Sequence, residues 1–216
     1  AAFAAVSIWD DSPVFLYNIV EKTKMIDLHC HILPGLDDGS GSIDESLAMA
    51  DIAASNGVRH IVATPHCIIG SARNVTSSVA MLQELLQMEG IPIQLYAGME
   101  IFGTFDTARL LREKKLITLN GSRYPLIEFS FYTDGEEETE ILQTVIDAGY
   151  TPLVAHPERY SYICREPELV NRWKEMGCLF QVNRGSLLGR YGHSARQMGM
   201  ALLRRGFATV VATDAH

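Results

Sequence analysis

Seven short runs rich in Val, Ile, Leu and aromatic residues punctuate the chain from Met25 onward, and helical patterns fill the gaps between them. They are MIDLHCH (25–31), VRHIVATP (58–65), IQLYAGME (93–100), PLIEF (125–129), TPLVAH (151–156), CLFQVN (178–183) and FATVVATDAH (207–216). Runs this apolar suit strands buried on both faces. Their recurrence every roughly 25–35 residues specifies repeated βα units and a parallel sheet. Helix signals agree: Ser42 with Glu45 three residues on is a capping box, Gly57 closes that helix, and EEETEILQTVIDAG places its acids in the first turns. The class is α/β. A closed (βα)7 barrel of the TIM type, short by one unit, is the first expectation, and an open doubly wound sheet the second.

A chain of 216 residues, 47% hydrophobic and 20% charged, is large enough for one buried core. Its net charge of −8 argues against nucleic acid or an anionic membrane as main partner. The same charge raises a question for any anionic substrate, which must then find positive charge locally. The cysteines Cys30, Cys67, Cys164 and Cys178 form no C-x-x-C pair, so reduced thiols and a cytoplasmic location are expected. The apolar stretch AAFAAVSIW lacks a basic flank and runs into Asp10 and Asp11, which is neither a signal peptide nor a membrane span. Residues 1–24 are read as an N-terminal extension without an assigned role and 25–216 as one domain. Because the sequence stops at His216, with no helix left to cover the last strand run, that domain is expected to lack its C-terminal segment.

Histidines and acids collect at one end of these runs. Asp27, His29 and His31 alternate on the first and so share a face. His66 follows the second, Glu100 ends the third, Glu128 lies on the fourth, His156 ends the fifth with Arg159 three residues on, and Asp214 and His216 end the seventh. Barrel active sites are built at the C-terminal strand ends. Any one of these residues is explained as a solvated strand end or loop start; their coincidence at the same end of successive strands is what points to a centre for Mn, Fe or Zn. Two or three such ions would neutralise the carboxylates and leave a cationic pocket in an acidic protein. His60 and His193 read as structural, and LLREKKLITL as a solvated basic helix end.

The stretch HCIIGSAR (66–73) also matches His-Cys-x5-Arg, the loop in which a cysteine thiolate attacks phosphorus. Asn74 stands where that loop usually has Ser or Thr. A cysteine mechanism also leaves the His-x-His pair, Glu100, Glu128, His156 and Asp214 with no role. The metal reading employs all of them, makes His66 a ligand and leaves Cys67 as a packing neighbour.

The motifs IDLHCHILPGLDDGS, ATPH, GMEI, NGSRYPLIEFS, AHPERY, QVN and ATDAH occur in this order from Met25 to His216. In them the chain resembles the PHP (polymerase and histidinol phosphatase) superfamily, and within it the bacterial manganese-dependent protein-tyrosine phosphatases encoded with capsule and exopolysaccharide genes. The resemblance implies a distorted (βα)7 TIM-like barrel, the PHP fold, with about three divalent ions, Mn2+ first and Fe or Zn as alternatives. It implies a first ion held by His29, His31, Glu100 and Asp214, a second by Glu100, Glu128 and His156, and a third by Asp38, His66 and His216, with Asp37 as the alternative to Asp38. Arg159 would contact the phosphate, and Arg159 and Asp38 are the residues expected to act in the reaction; Asp27 would orient a ligand from behind. Implied too is hydrolysis of phosphotyrosine without a covalent intermediate, on a partner such as the tail of a bacterial tyrosine kinase, with a homo-oligomer possible. Alternatives are a PHP phosphatase of a small ester such as histidinol phosphate, a metal-dependent hydrolase of another ester or amide, and a catalytically silent metal-binding domain.

Overall fold

A computed structural model describes residues 25–67 and 72–216; the expectation for residues 1–24 lies outside them. In chain order the elements are β1 (Met25–Cys30), α1 (Ile43–Ser55), β2 (Val58–Ala63), α2 (Ala72–Met88), β3 (Gln94–Ala97), β4 (Glu100–Phe102), α3 (Thr107–Arg112) and β5 (Leu126–Glu128). There follow α4 (Glu136–Asp147), β6 (Leu153–Ala155), α5 (Ser161–Arg165), α6 (Glu168–Glu175), β7 (Leu179–Asn183), α7 (Arg184–Leu187), α8 (Gly192–Arg204) and β8 (Ala208–Ala212). Every strand pairing is parallel. The strands lie in two sheets, β1-β2-β3 and β4-β5-β6-β7-β8.

The two sheets meet along two seams, one past the ends of β1 and β8 and one between the segment after β2 and the start of β4. On one side Cys30 bridges to Ala215: the His31 amide donates to the Ala215 carbonyl and the Asp214 amide to the His29 carbonyl, both at 2.9 Å. On the other, His66 bridges to Glu100, with the Glu100 amide donating to Pro65 O at 3.1 Å and the Cys67 amide to Glu100 O at 2.9 Å. Both seams are therefore made by residues next to, or among, the candidate ligands.

Alternation along the strands buries both faces. Val62, Leu126, Leu153, Ala155, Val210 and Ala212 from both sheets pack together with Leu28 and Leu119. Their neighbours Ile61, Ala63, Ile127 and Val154 turn the other way, into the larger core that includes the helix residues Leu82, Leu142 and Trp173. That two-sided burial explains why the strands read as continuous apolar runs. At the entrance to α1, Ser42 Oγ accepts from the Glu45 amide at 3.2 Å while the Glu45 carboxylate accepts from the Gly41 amide at 2.8 Å. The capping signal read from the sequence is thus made reciprocally, one residue displaced. No helix among the described residues is long and apolar enough to cross a membrane.

Three expected strands need correction. The run 93–100 is not one strand: it breaks at Gly98 and Met99 into β3 of one sheet and β4 of the other. Gly98 passes so close to β2 that a Cβ there would stand 2.9 Å from Val62 Cγ1, while its amide donates to Ala63 O at 2.9 Å. The runs 151–156 and 207–216 also end early, at Ala155 and Ala212, because His156 and Asp214 adopt left-handed backbone conformations (φ +34° and +50°) that no strand continues.

Gly98→Ala should lower stability by about 1–3 kcal/mol through overpacking against Val62 and Leu119. Thermal unfolding of the two proteins checks this.

Candidate metal centre

Three strand ends, those of β1, β4 and β8, supply the most buried part of the site. His29 and His31, on and just after β1, bring their Nε2 atoms to 3.1 Å of one another. Glu100 Oε2 lies 3.2 Å from His29 Nε2 and 3.3 Å from His31 Nε2; Asp214 Oδ1 lies 3.1 and 3.5 Å from the same two atoms. All four residues are buried. Asp214 reaches this point only through its left-handed backbone, not by strand alternation with His216.

A second group shares Glu100. His66 Nδ1 is 3.1 Å from Glu100 Oε2 and 2.9 Å from Glu128 Oε1. The opposite carboxylate oxygen, Oε1, faces His156 Nε2 at 2.8 Å. A third group stands nearer the mouth: His31, Asp38, His66 and His216, with Asp38 Oδ1 3.6 Å from His66 Nε2 and 3.3 Å from His216 Nε2. The His216 ring stacks on His31 at 4.1 Å between centroids. The described residues thus contain three groups able to hold a metal ion. Two groupings differ from the sets implied by resemblance: His66 stands with Glu100 and Glu128, while His156 meets Glu100 alone and leaves its buried Nδ1 without a partner, and His31 joins the group of Asp38, His66 and His216.

Asp37 and Asp38 have different surroundings. Asp37 Oδ2 accepts from His31 Nδ1 at 2.7 Å and from the His66 amide at 2.8 Å, while its Oδ1 accepts from the Gly39 amide at 3.0 Å. It therefore orients one imidazole and anchors the segment carrying another, and Asp38 is left exposed toward the mouth. The loop can lie this close only because of Gly39, where a Cβ would stand 2.2 Å from His31 O. Asp27 is buried behind the site and accepts from the Thr213 amide at 3.0 Å and from the His29 amide at 3.4 Å. It ties the backbone of β1 to the segment that carries Asp214. Arg159 donates through Nη1 to Asp214 Oδ2 at 3.2 Å.

Two residues of this site carried no assigned role from sequence, Gln181 and Asn183 on β7. Asp214 is a carboxylate, so Asn183 must turn its Nδ2 toward Asp214 Oδ2, at 2.5 Å. Asn183 Oδ1 then accepts from Gln181 Nε2 at 2.7 Å, and Gln181 Oε1 accepts from the His156 amide at 3.2 Å and faces His29 Nδ1 at 3.0 Å. This relay puts the proton of His29 on Nδ1 and turns the Nε2 lone pair inward; Asp37 does the same for His31. The available signal was two amides alternating on an otherwise apolar strand run.

Two inward lone pairs and two carboxylates within about 3 Å repel unless positive charge sits among them. The separations match the edges of a coordination shell whose bonds are about 2.1 Å long, so the residues fit a divalent ion. With no ion bound, protons take that place. Burial alone would push the His29 imidazole down, but the charges of Glu100 and Asp214 outweigh it and hold its pKa up at about 9. His31 is likewise opposed by burial and held at about 11 by bonds to Asp214, Asp37 and Glu100. Burial would raise Glu100 and Asp214; the surrounding imidazoles hold both below the ordinary carboxylate range instead.

Cys67 has none of this support. Burial pushes its thiol up, away from a thiolate. Residues 68–71 and the Arg73 side chain of the cysteine motif lie outside the described ones.

Imidazoles and carboxylates gathered at the ends of parallel strands, in groups that could hold a metal ion, define the site of this α/β protein. The chain belongs to the family described as capsular polysaccharide synthesis, CpsB/CapC, whose model matches residues 25–216. It is 36% identical over 196 residues to the tyrosine-protein phosphatase YwqE of Bacillus subtilis, covering 89% of this chain and 77% of that protein. Identity to the tyrosine-protein phosphatase CpsB of Streptococcus pneumoniae is 32% over 201 residues, covering 89% and 83%. A crystal structure from a study of YwqE and CpsB, described as unique metal-dependent tyrosine phosphatases, superposes with a TM-score of 0.84 at 35% identity, covering 89% of this chain and 79% of that one.

Gly39→Ala should displace the loop from His31 and weaken metal affinity by about 10–100-fold, the usual cost of losing a ligand's outer support; metal titration of wild type and variant reads this directly. Since His29 and His31 are held above pH 7 and an ion requires their unprotonated Nε2, loading at pH 7 should release about one to two protons. Affinity should then weaken as pH falls. Calorimetric titration of Mn2+ in buffers of different ionisation enthalpy measures the number.

Proposed function

We propose that this protein is a metal-dependent protein-tyrosine phosphatase built on a distorted (βα)7 barrel. The observation that carries the reading is Glu100, whose carboxylate serves two of the ligand groups while Arg159 stands beside Asp214 in one of them. Closure of the barrel is supported by the two backbone bridges at the seams and by the apolar cluster drawn from both sheets. The three ligand groups favour about three ions, with Mn2+ suited to a mixed imidazole and carboxylate set.

Bound ions would supply Lewis acidity toward phosphoryl oxygens and a water ionised near neutral pH. The chain's own residues do the rest. His29, His31, His66, Glu100, Glu128, His156, Asp214 and His216 would hold the ions. Arg159 adds fixed positive charge for the phosphoryl oxygens, which answers how a protein of net charge −8 attracts an anion. Asp38 is exposed at the mouth beside His216, where its carboxylate can accept a hydrogen bond from a water and hold that water to protonate the leaving phenolate. That proton matters because the phenol has a pKa of about 10. No covalent enzyme intermediate is required, and Cys67 takes no part.

A mouth carrying Asp38 and His216 at its rim suits phosphotyrosine on a flexible segment, such as the tail of a bacterial tyrosine kinase that governs capsule or exopolysaccharide synthesis. Residues 25–216 form the catalytic domain in this reading, which places the protein in the cytoplasm, where such a tail would be met.

Hydrolysis of a phosphotyrosine peptide by the 216-residue chain should require Mn2+, stop with chelator and survive Cys67→Ser. Glu100→Gln should reduce it by about a hundredfold or more. Steady-state assays run beside histidinol phosphate decide the matter. Turnover that ignores chelator and disappears in Cys67→Ser, or a clear preference for histidinol phosphate, would overturn this reading.

A further inference from the structure

The guanidinium of Arg159 lies against two aromatic rings. Its central carbon is 4.3 Å from the centroid of Tyr191 and 4.8 Å from that of Phe131, both within the ~6 Å over which a cation and a ring face attract. The rings come from different parts of the chain: Phe131 follows β5 and Tyr191 precedes α8. Each is braced from behind. Phe131 sets its edge against His156 at 5.9 Å and packs on Tyr160 at 5.8 Å. Tyr191 rests against the bare backbone of Gly185, where a Cβ would stand 2.8 Å from its Cε2. The guanidinium spends one donor on Asp214, and forms no other hydrogen bond among the described residues.

This arrangement solves a problem that carboxylates create. An arginine free to rotate among Asp214, Glu100 and Glu128 would pair with a carboxylate through both arms of its fork and quench its own charge. Two rings in contact with it restrict the motion of the fork, leave a single-armed contact to Asp214, and keep the remaining donors available. Aromatic faces attract the cation without supplying a competing acceptor.

We propose that Tyr191 and Phe131 form a two-ring jaw that positions Arg159, so that its free N–H edge is presented to a phosphoryl group seated at the ligand cluster. The inference rests on the phosphatase reading and extends it: Tyr191 is a positioning residue for the phosphoryl-binding arginine.

The test uses inorganic phosphate as probe and the Mn2+-loaded 216-residue chain. Tyr191→Leu should weaken phosphate binding, read by calorimetry and by inhibition of p-nitrophenyl phosphate hydrolysis, by about three- to tenfold. It should raise KM more than it lowers kcat, with metal content and melting temperature unchanged. Tyr191→Phe keeps the ring and should behave as wild type. Gly185→Ala, which pushes the ring without removing it, should weaken binding in the same direction. In an Arg159→Ala background Tyr191→Leu should cost nothing further. The Arg159 Nε–H resonance of the metal-free protein should shift in Tyr191→Leu as one ring current is lost. Unchanged phosphate binding in Tyr191→Leu, or an effect that adds in full to Arg159→Ala, would overturn the inference alone. A metal-loaded wild type that neither binds phosphate nor hydrolyses the ester would sink the phosphatase reading, and the jaw's role with it.

Discussion

One buried carboxylate, that of Glu100, links the backbone to the chemistry. Its main chain makes the bridge that joins β4 to the end of β2, and its side chain meets His29, His31, His66 and His156. Burying a carboxylate is costly unless opposite charge surrounds it, and here four imidazoles from three stretches of chain do so. The seam between the sheets and the ligand cluster are therefore one structure. Strand ends brought together by backbone pairing would otherwise present a ring of uncompensated polar atoms. An ion, or protons in its place, makes that convergence favourable.

Around this centre lies a shell of groups that touch no ion but decide where lone pairs point. The relay from Asp214 through Asn183 and Gln181 to His29 sets a tautomer across the width of β7. Asp37 does the same for His31, and Asp27 holds the segment of Thr213 against β1. Each relay ends on a carboxylate, which can only accept, so the direction of every hydrogen bond along it is determined. Rigidity of this kind keeps these side chains at the spacing that a coordination shell would need.

Much of this was legible along the chain. The βα period, the apolar runs and the gathering of histidines and acids at run ends are local signals, although the runs 93–100, 151–156 and 207–216 do not stop where their strands do. Less legible were features that depend on a neighbour brought from afar. The break at Gly98 exists because Val62 and Ala63 of another strand lie against it. His156 and Asp214 left the strand alternation by adopting positive φ, a conformation that neither residue's local sequence announces. Gln181 and Asn183 looked like unremarkable polar positions until β7 was set between β6 and β8. The capping box at Ser42, formed wholly within five residues, needed no such help.

By itself the sequence determined the α/β class, the number and order of the βα units to within one break, the chemical type of the site and the residues available to build it, because periodicity and side-chain identity are written locally. Only the tertiary structure decided how those residues are grouped. It sent Asp37 behind His31 and Asp38 to the mouth, gave His66 to Glu100 and Glu128 while His156 kept to the far oxygen of Glu100, and placed Arg159 against two rings. Those outcomes turn on distances of about 3 Å between atoms far apart along the chain, where a change of one left-handed residue or one missing Cβ redirects a side chain. Spacing along a sequence carries no record of them.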